Sequence, residues 1–354
     1  MAGQESVDAA QWRRWGEACL QTLDFSDADA SCLASSLAQT SLWGIDSHGI
    51  ARLPHYLNRI VHGSILARPA IRIEQSGPAT AQAHGGRGHG IVVAHRANEA
   101  AMALAREAGV GAVGVSDSSH CGAIGLYTRA AAREGLIGIA FTHSDAIAAP
   151  FGGRQPYFGT NPVSFAFPRQ GGEPLCLDMA TTSIPWNRVM NARRDGTELP
   201  AGVALDAEGQ GVTDAARVRA LTPLGGEYGH KGYGLAMMVE LLCGPLNGNP
   251  HGPHIGPMYE QLGRPRELGA FFIAIDPARF AGGAVLAAVA AGMAAELAAQ
   301  PGSPRMPGDP ELASQARRQA TGIPVPPALK AEMAEWSGRL GVALPPFAPL
   351  QSVA

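Results

Sequence analysis

Lysine and arginine nowhere gather into a run in this chain, and no uninterrupted apolar stretch approaches the ~20 residues that cross a bilayer. The first absence, with a formal net charge of -3, removes the electrostatic footprint of a nucleic-acid-binding protein. The second excludes a membrane-spanning helix. Residues 1–8 are polar and acidic and lack the apolar core of a secretory signal. Cysteine is scarce: Cys19, Cys32, Cys121, Cys176 and Cys243 are scattered and make neither a disulfide framework nor a CxxC knuckle. A reducing cytoplasm is the expected location. No HExxH helix occurs, and the pair His251 and His254 lies in a Gly/Pro loop without nearby carboxylates, so no metal site is expected. Without a GxSxG elbow or a Gly-Lys-Ser/Thr phosphate loop, serine hydrolase and ATPase chemistry also lack support.

What is present describes a globular protein with a ligand to hold. Its 354 residues exceed one small core, so two or three lobes are expected. Hydrophobic content of 46% and charged content of 16% are ordinary. Glycine, at 45 residues, is nearly twice the usual ~7%, and many glycines sit at element ends where tight turns and close backbone approaches use them. The first 65 or so residues read as helical: one helix over 7–23, a second capped by Ser26 and running to about Trp43, and a third over 52–60 in which Pro54 suits only a first turn. From about residue 70, helices expected at 95–108, 123–134, 233–242 and 285–298 alternate with strands at 110–115, 136–141, 163–167, 175–178 and 270–275. Residues 302–326 are Pro-rich, and 327–340 read as a helix packing back on the first lobe. The pattern predicts an α/β or α+β core behind a helical lobe.

Asp46-Ser47-His48-Gly49-Ile50-Ala51-Arg52-Leu53-Pro54-His55-Tyr56 concentrates the chemistry. His48, Arg52 and Tyr56 recur every four residues, so on one helix they share a face. Arg grips a carboxylate with two parallel hydrogen bonds, and His exchanges a proton near neutral pH, which suits a 2-hydroxy or 2-oxo acid. A solvated helix face with a packed Tyr accounts for the same spacing, and a helix starting near Leu53 would leave His48 on a loop. His120, in Ser118-Ser119-His120-Cys121-Gly122-Ala123-Ile124-Gly125, opens a helix after a strand, a usual place for function. Gly109-Val110-Gly111-Ala112-Val113-Gly114 matches GxGxxG, but the expected order is helix, glycines, strand. No helix N-terminus meets a pyrophosphate there, so this is no Rossmann fingerprint.

Seven segments occur in order along nearly the whole chain: Asp46-Ser47-His48-Gly49, Ser119-His120-Cys121-Gly122-Ala123, Ala149-Pro150-Phe151-Gly152-Gly153, Phe158-Gly159-Thr160-Asn161-Pro162, Leu177-Asp178-Met179-Ala180-Thr181-Thr182, His230-Lys231-Gly232-Tyr233-Gly234-Leu235 and Pro307-Gly308-Asp309. Together they resemble the malate/L-lactate dehydrogenase type 2 family of NAD(P)-dependent oxidoreductases, which is unrelated to the Rossmann lactate dehydrogenases. The resemblance implies a non-Rossmann α/β (α+β) fold: a helical lobe of residues 1–70 completed by 310–354, and a cofactor- and substrate-binding lobe over 71–309. It implies a homodimer, NAD or NADP as cofactor, and a small carboxylate substrate such as ureidoglycolate, malate, lactate or sulfolactate. His48 and His120 match the proton-transferring histidines, with their roles open to exchange, and Arg52 and Tyr56 match substrate-facing positions. Ser144, Asp178, Met179, Ala180, Lys231, Gly308, Asp309 and Pro310 match segments that hold the dinucleotide. Ser144-Asp145 stands where many members carry Asn and, with Met258-Tyr259-Glu260-Gln261-Leu262, resembles the ureidoglycolate dehydrogenase branch. The stretch Gly225-Gly226-Glu227-Tyr228-Gly229-His230 is longer than in that branch. A reductase of cyclic imine carboxylates or diketo acids on the same fold stays open as a second reading. A non-catalytic dimeric binding protein is a third.

Overall fold

A computed structural model describes residues 5–350. Near the start the Asp8 carboxylate accepts the Gln11 N–H at 2.9 Å, which sets the first helix, α1, at Ala9–Thr22. Val7, expected inside that helix, instead ends a short strand, β1 (Glu5–Val7). Ser26 accepts the Asp29 N–H at 3.1 Å and starts α2 (Asp27–Leu42), as its hydroxyl predicts. The next helix, α3 (Leu53–Val61), holds Pro54 in its first turn, where proline forfeits no hydrogen bond. His48 and Arg52 therefore fall outside it, in separate 3-10 turns at Asp46–His48 and Ile50–Arg52. The single helical face expected for His48, Arg52 and Tyr56 does not exist; proline placed the helix start too late for it.

A hairpin follows, β2 (Arg72–Gly77) and β3 (Thr80–His84), and then α4 (Gly90–Ala108), which begins five residues before the expected start. His89 supplies its cap, Nδ1 accepting the Ile91 N–H at 3.2 Å. Gly109, at φ +89°, ends α4 and leads straight into β4 (Val110–Ser118). The order is helix, glycine, strand, as read from the sequence. At Gly111 a Cβ would strike the carbonyl of Ala101, so that glycine lets α4 lie close on β4 rather than cradle a phosphate.

The remaining elements are α5 (Gly125–Arg133), β5 (Ile137–Thr142), β6 (Val163–Phe167), β7 (Leu175–Met179), α6 (Trp186–Asp195), β8 (Ala204–Leu205), β9 (Ala220–Leu221), α7 (His230–Cys243), β10 (Leu268–Ile275), α8 (Gly283–Ala298), α9 (Asp309–Thr321), β11 (Ile323–Val325), α10 (Pro327–Leu340) and β12 (Phe347–Pro349). Seven strands form one mixed sheet in the order β2-β3-β4-β10-β5-β6-β7. Only β3 and β4 run parallel; the other neighbours are antiparallel. This is a mixed α/β fold without the parallel wound sheet of a Rossmann domain.

Three larger apolar cores support it. Trp12, Leu33 and Tyr56 from the early helices pack with Ile323 of β11 and with Met333 and Trp336 of α10, and β1 is held between β11 and β12. Val93, Tyr127 and Phe272 belong to a second core between α4, α5 and the sheet. Val189, Leu199 and Leu221 make a third under α6, β8 and β9. No helix among the described residues is long and apolar enough to cross a membrane.

Candidate active site

A cleft of about 760 Å³ opens where these cores meet, within the range of small-molecule and cofactor sites. The 45–52 turns, the 120–124 loop, the segment after β5, the end of β7, the start of α6, the 257–260 loop, Arg266 and Glu311 line it. Its walls are mostly apolar, with Ile45, Ile124, Met179, Ile184 and Trp186 among them.

Geometry brings the four proposed catalytic side chains together from four different elements. The rings of His48 and His120 stack at 5.3 Å and 28°. Tyr56, on α3 and only 1% exposed, places its hydroxyl 2.6 Å from His120 Nδ1, and the Gly122 N–H donates to the same nitrogen at 3.3 Å. A backbone N–H only donates, so Nδ1 is an acceptor in the resting tautomer and the ring proton sits on Nε2. His120 does not open a helix as expected: α5 begins at Gly125, and His120 rides the loop before it. That loop lies against the start of α4 because Gly90 has no Cβ to strike the backbone of Ser119 and His120.

Electrostatics keep both histidines neutral. Burial first, then the Arg52 charge, pushes His48 down to about 3. Burial, then His48, Arg52 and Arg266, hold His120 well below its usual 6.5. Arg52 donates Nε to the Ser47 carbonyl and Nη1 to the Tyr259 hydroxyl at 2.5 Å, and no carboxylate neutralises it among the described residues. Its charge remains free for an anionic ligand.

Of the expected cofactor positions, Ser144, Asp178, Met179 and Ala180 line the cleft. Asp178 lies one residue before the end of β7, where its carboxylate accepts the Gly125 N–H at 2.8 Å at the N-terminus of α5. Burial outweighs that bond, and with help from Glu311 it pushes Asp178 up to about 6. Lys231 is exposed in the first turn of α7, its ammonium 5.4 Å over the Tyr228 ring and away from the cleft walls. Gly308 adopts φ +101°, Asp309 caps back onto the Met306 N–H at 2.8 Å, and Pro310 sits in the first turn of α9. These three also stay off the walls. They set the start of a helix whose next residue, Glu311, reaches the cleft with Oε2 buried and unpartnered.

Sequence reasoning missed Glu311, Arg266 and Trp186 as site residues, and it named Asp145 and Tyr259 only as marks of a branch. Met258 to Leu262 was a usable signal for the loop. Arg59 fastens that loop, donating to the carbonyls of Pro257 at 2.9 Å and Met258 at 2.7 Å. Behind Ser144 and Asp145, His143 Nε2 accepts the Gly269 N–H at 2.8 Å, leaving Nδ1 to face Glu240 at 3.4 Å. Glu240 in turn accepts the Asn161 side-chain amide at 2.6 Å and the Gly252 N–H at 2.8 Å. This buried network fixes the end of β5 from which Ser144 and Asp145 project. No cluster of three His, Cys, Asp or Glu suited to a metal occurs among the described residues.

Residues 7–334 match the malate/L-lactate dehydrogenase family model. Ureidoglycolate dehydrogenase (NAD(+)) of Escherichia coli O157:H7 is 41% identical over 248 residues, 70% of each chain. L-sulfolactate dehydrogenase of Methanothermobacter thermautotrophicus is 36% identical over 309 residues, 86% of this chain and 88% of its own. The crystal structure of malate dehydrogenase from Entamoeba histolytica superposes with a TM-score of 0.91 at 29% identity, covering 97% of this chain and 99% of that one. A match this long, over the segments that build the cleft, places the chain in the malate/L-lactate dehydrogenase family.

Proposed function

We propose that this protein transfers a hydride between NAD or NADP and a small 2-hydroxy acid held between Arg52, His48 and His120. The observation that carries the reading is an unneutralised Arg52 beside a neutral His120 whose Nδ1 is held by Tyr56 and Gly122. The residues present fit a nicotinamide dinucleotide. Asp178 and the unpartnered Glu311 Oε2 offer acceptors to ribose hydroxyls, Ser144 offers a hydroxyl, and Met179, Ala180 and Ile184 offer an apolar wall for a planar ring. Bound there, the nicotinamide supplies the hydride acceptor or donor.

Arg52 grips the substrate carboxylate with its free guanidinium edge. His120 accepts the C2 hydroxyl proton on Nε2 as the C2 hydride departs. For this the His120 ring first exchanges tautomer through water, releasing its Nε2 proton and taking one up on Nδ1, with the Tyr56 hydroxyl rotated from donor to acceptor; Nε2 is then free to accept and the phenol oxygen steadies the imidazolium. His48, stacked on that ring and oriented by Ser47 Oγ at 2.8 Å, hydrogen-bonds the C2 oxygen. Reduction runs the same steps backwards. Burial of His120 favours the neutral base at rest, as oxidation needs.

We further propose a homodimer, supported by the exposed apolar side chains Val285, Val289 and Met293 on α8 and Met237, Met238 and Leu241 on α7. Five unpaired cysteines support a reducing compartment. The shared core of early and late helices supports a lobe of residues 1–70 with 310–350, apart from a lobe over 71–309. Nicotinamide absorbance followed across a panel of 2-hydroxy acids, 2-oxo acids and cyclic imine acids, with NAD and NADP separately, tests the function. Turnover of 2-hydroxy acids supports it. Turnover of imines alone replaces it with the reductase reading, and a flat response throughout rejects it.

A further inference from the structure

One helix runs from the cleft to the turn that carries His48. Along α9, Glu311, Gln315 and Arg318 follow at intervals of four and three residues, so they share a face. Glu311 lines the cleft. Gln315 Oε1 accepts the Gln39 side-chain amide at 3.0 Å and the Trp43 indole N–H at 2.9 Å, which fastens α9 to the end of α2. Arg318 places a fork on Asp46: Nη1 donates to Oδ1 at 2.5 Å and Nη2 to Oδ2 at 2.9 Å. Nη1 also donates to the Ser41 carbonyl at 2.6 Å.

Asp46 opens the three-residue turn that His48 closes, and the turn has no side-chain cap of its own. Ser47, between them, touches both neighbours in the site: its carbonyl accepts Arg52 Nε, and its hydroxyl lies 2.8 Å from His48 Nδ1. At the far end of the same stretch, Ser41 Oγ accepts the Ile50 N–H at 2.9 Å. Residues 46–50 are thus tied down at both ends, while Ser41, Asp46 and Arg318 all stay off the cleft walls. Asp46 is 53% exposed, and an ion pair with so wet a partner adds little to stability. A planar fork nevertheless fixes direction as well as distance, which suits it to orienting a short turn.

We propose that Arg318 and Asp46 are positioning residues for hydride transfer: their fork sets the turn that aims His48 at the C2 oxygen and, through the Ser47 carbonyl, aims Arg52 at the carboxylate. The inference rests on the 2-hydroxy acid reading and deepens it. Loss of the fork has two separable effects. Displacement of His48 is felt in kcat, and loosening of Arg52 is felt in KM for the acid.

The test uses whichever of ureidoglycolate, malate, lactate and sulfolactate the wild-type protein oxidises fastest, with saturating NAD or NADP. Arg318→Gln is expected to lower kcat by about 10-fold and raise KM for the acid by about 3-fold or more, within the ~100-fold that a 1 Å misplacement produces. Nucleotide affinity, followed by fluorescence, is expected to stay within about 2-fold. The comparison that separates positioning from folding is made in the His48→Ala background. There Arg318→Gln is expected to lower kcat by less than about 3-fold, while its effect on KM, which runs through Arg52, persists. An equal kcat loss in both backgrounds, or unchanged kcat and KM in a folded Arg318→Gln protein, overturns the proposal. Asp46→Ala removes the fork from its exposed end and must give the same results, so it carries the test should Arg318→Gln fail to fold. Additive losses on combining Asp46→Ala with Arg318→Gln overturn the pair as a unit. No oxidation of any of the four acids by the wild type with either nucleotide overturns the 2-hydroxy acid reading itself, and the positioning with it.

Discussion

Tyr56→Phe isolates one hydrogen bond in the proposed proton path. The side chain is 1% exposed and packed within the first apolar core, so phenylalanine keeps the volume and loses only the hydroxyl. At rest that loss is modest, because the Gly122 N–H at 3.3 Å still holds His120 Nδ1. In the transition state it is not. As His120 takes the substrate proton, Nδ1–H needs an acceptor, and Gly122 offers a donor. A hydrogen bond to a charged group is worth about 1.5–3 kcal/mol, so kcat/KM should fall by about 10- to 150-fold. The loss must be the same in oxidation and reduction, since the reaction's equilibrium is unaltered by the protein. Nucleotide affinity, followed by fluorescence, should stay within about 2-fold, since Tyr56 lies off the cleft walls. Full activity in a folded Tyr56→Phe protein would refute the relay. A loss matching that of His120→Ala would also refute it, by making the phenol rather than the imidazole the proton carrier.

Four further outcomes follow from the same geometry. His120→Ala should lower kcat by about 10²–10⁴-fold with nucleotide affinity little changed, and unchanged turnover would remove His120 from the chemistry. Arg52→Lys should raise KM for the acid by about 10-fold or more, since an ammonium lacks the bidentate fork; an equal loss on an analogue without the carboxylate would contradict the clamp. Because His120 is held well below 6.5 by burial and its cationic neighbours, the acid limb of kcat/KM for oxidation should lie below pH 6.5, and a limb at or above that value counts against His120 as the base. His89 links pH to stability: burial, then His55, pushes it down to about 3. A folded value below the unfolded 6.5 means stability is complete above pH 6.5 and is lost as pH falls toward 3, by up to about 2 kcal/mol at pH 5. His89→Asn, which keeps a capping side chain without titrating, should flatten that dependence in thermal melts; an unchanged slope would place the acid sensitivity elsewhere.

Much of the fold was readable where periodicity and capping agreed. Ser26 announced α2, and the apolar runs after Gly109 and before Phe167 became strands of the sheet. The β2–β3 hairpin was not readable, because β2 is exposed along nearly its whole length and shows no alternation. Nor was α9, since Pro307 and Pro310 read as an irregular tail until Gly308 and a first-turn proline turned the chain into a helix.

At the site, His48, Arg52, Tyr56 and His120 were legible as candidates but not as geometry. The four-residue spacing was irrelevant, since two 3-10 turns carry His48 and Arg52 around Gly49. Arg266 and Glu311 could not be found by motif. Each is an ordinary charged residue that packing brings to the cleft with one polar atom buried and unpartnered.

Nicotinamide absorbance on mixing the wild-type protein with NAD or NADP and 2-hydroxy acids, repeated with Arg52→Lys and His120→Ala, tests the central claim most directly. The account predicts reduced nicotinamide with at least one acid, weakened at low acid concentration by the first substitution and nearly abolished at all concentrations by the second. Absorbance that stays flat in the wild type with both nucleotides, or that rises equally in all three proteins, would contradict it.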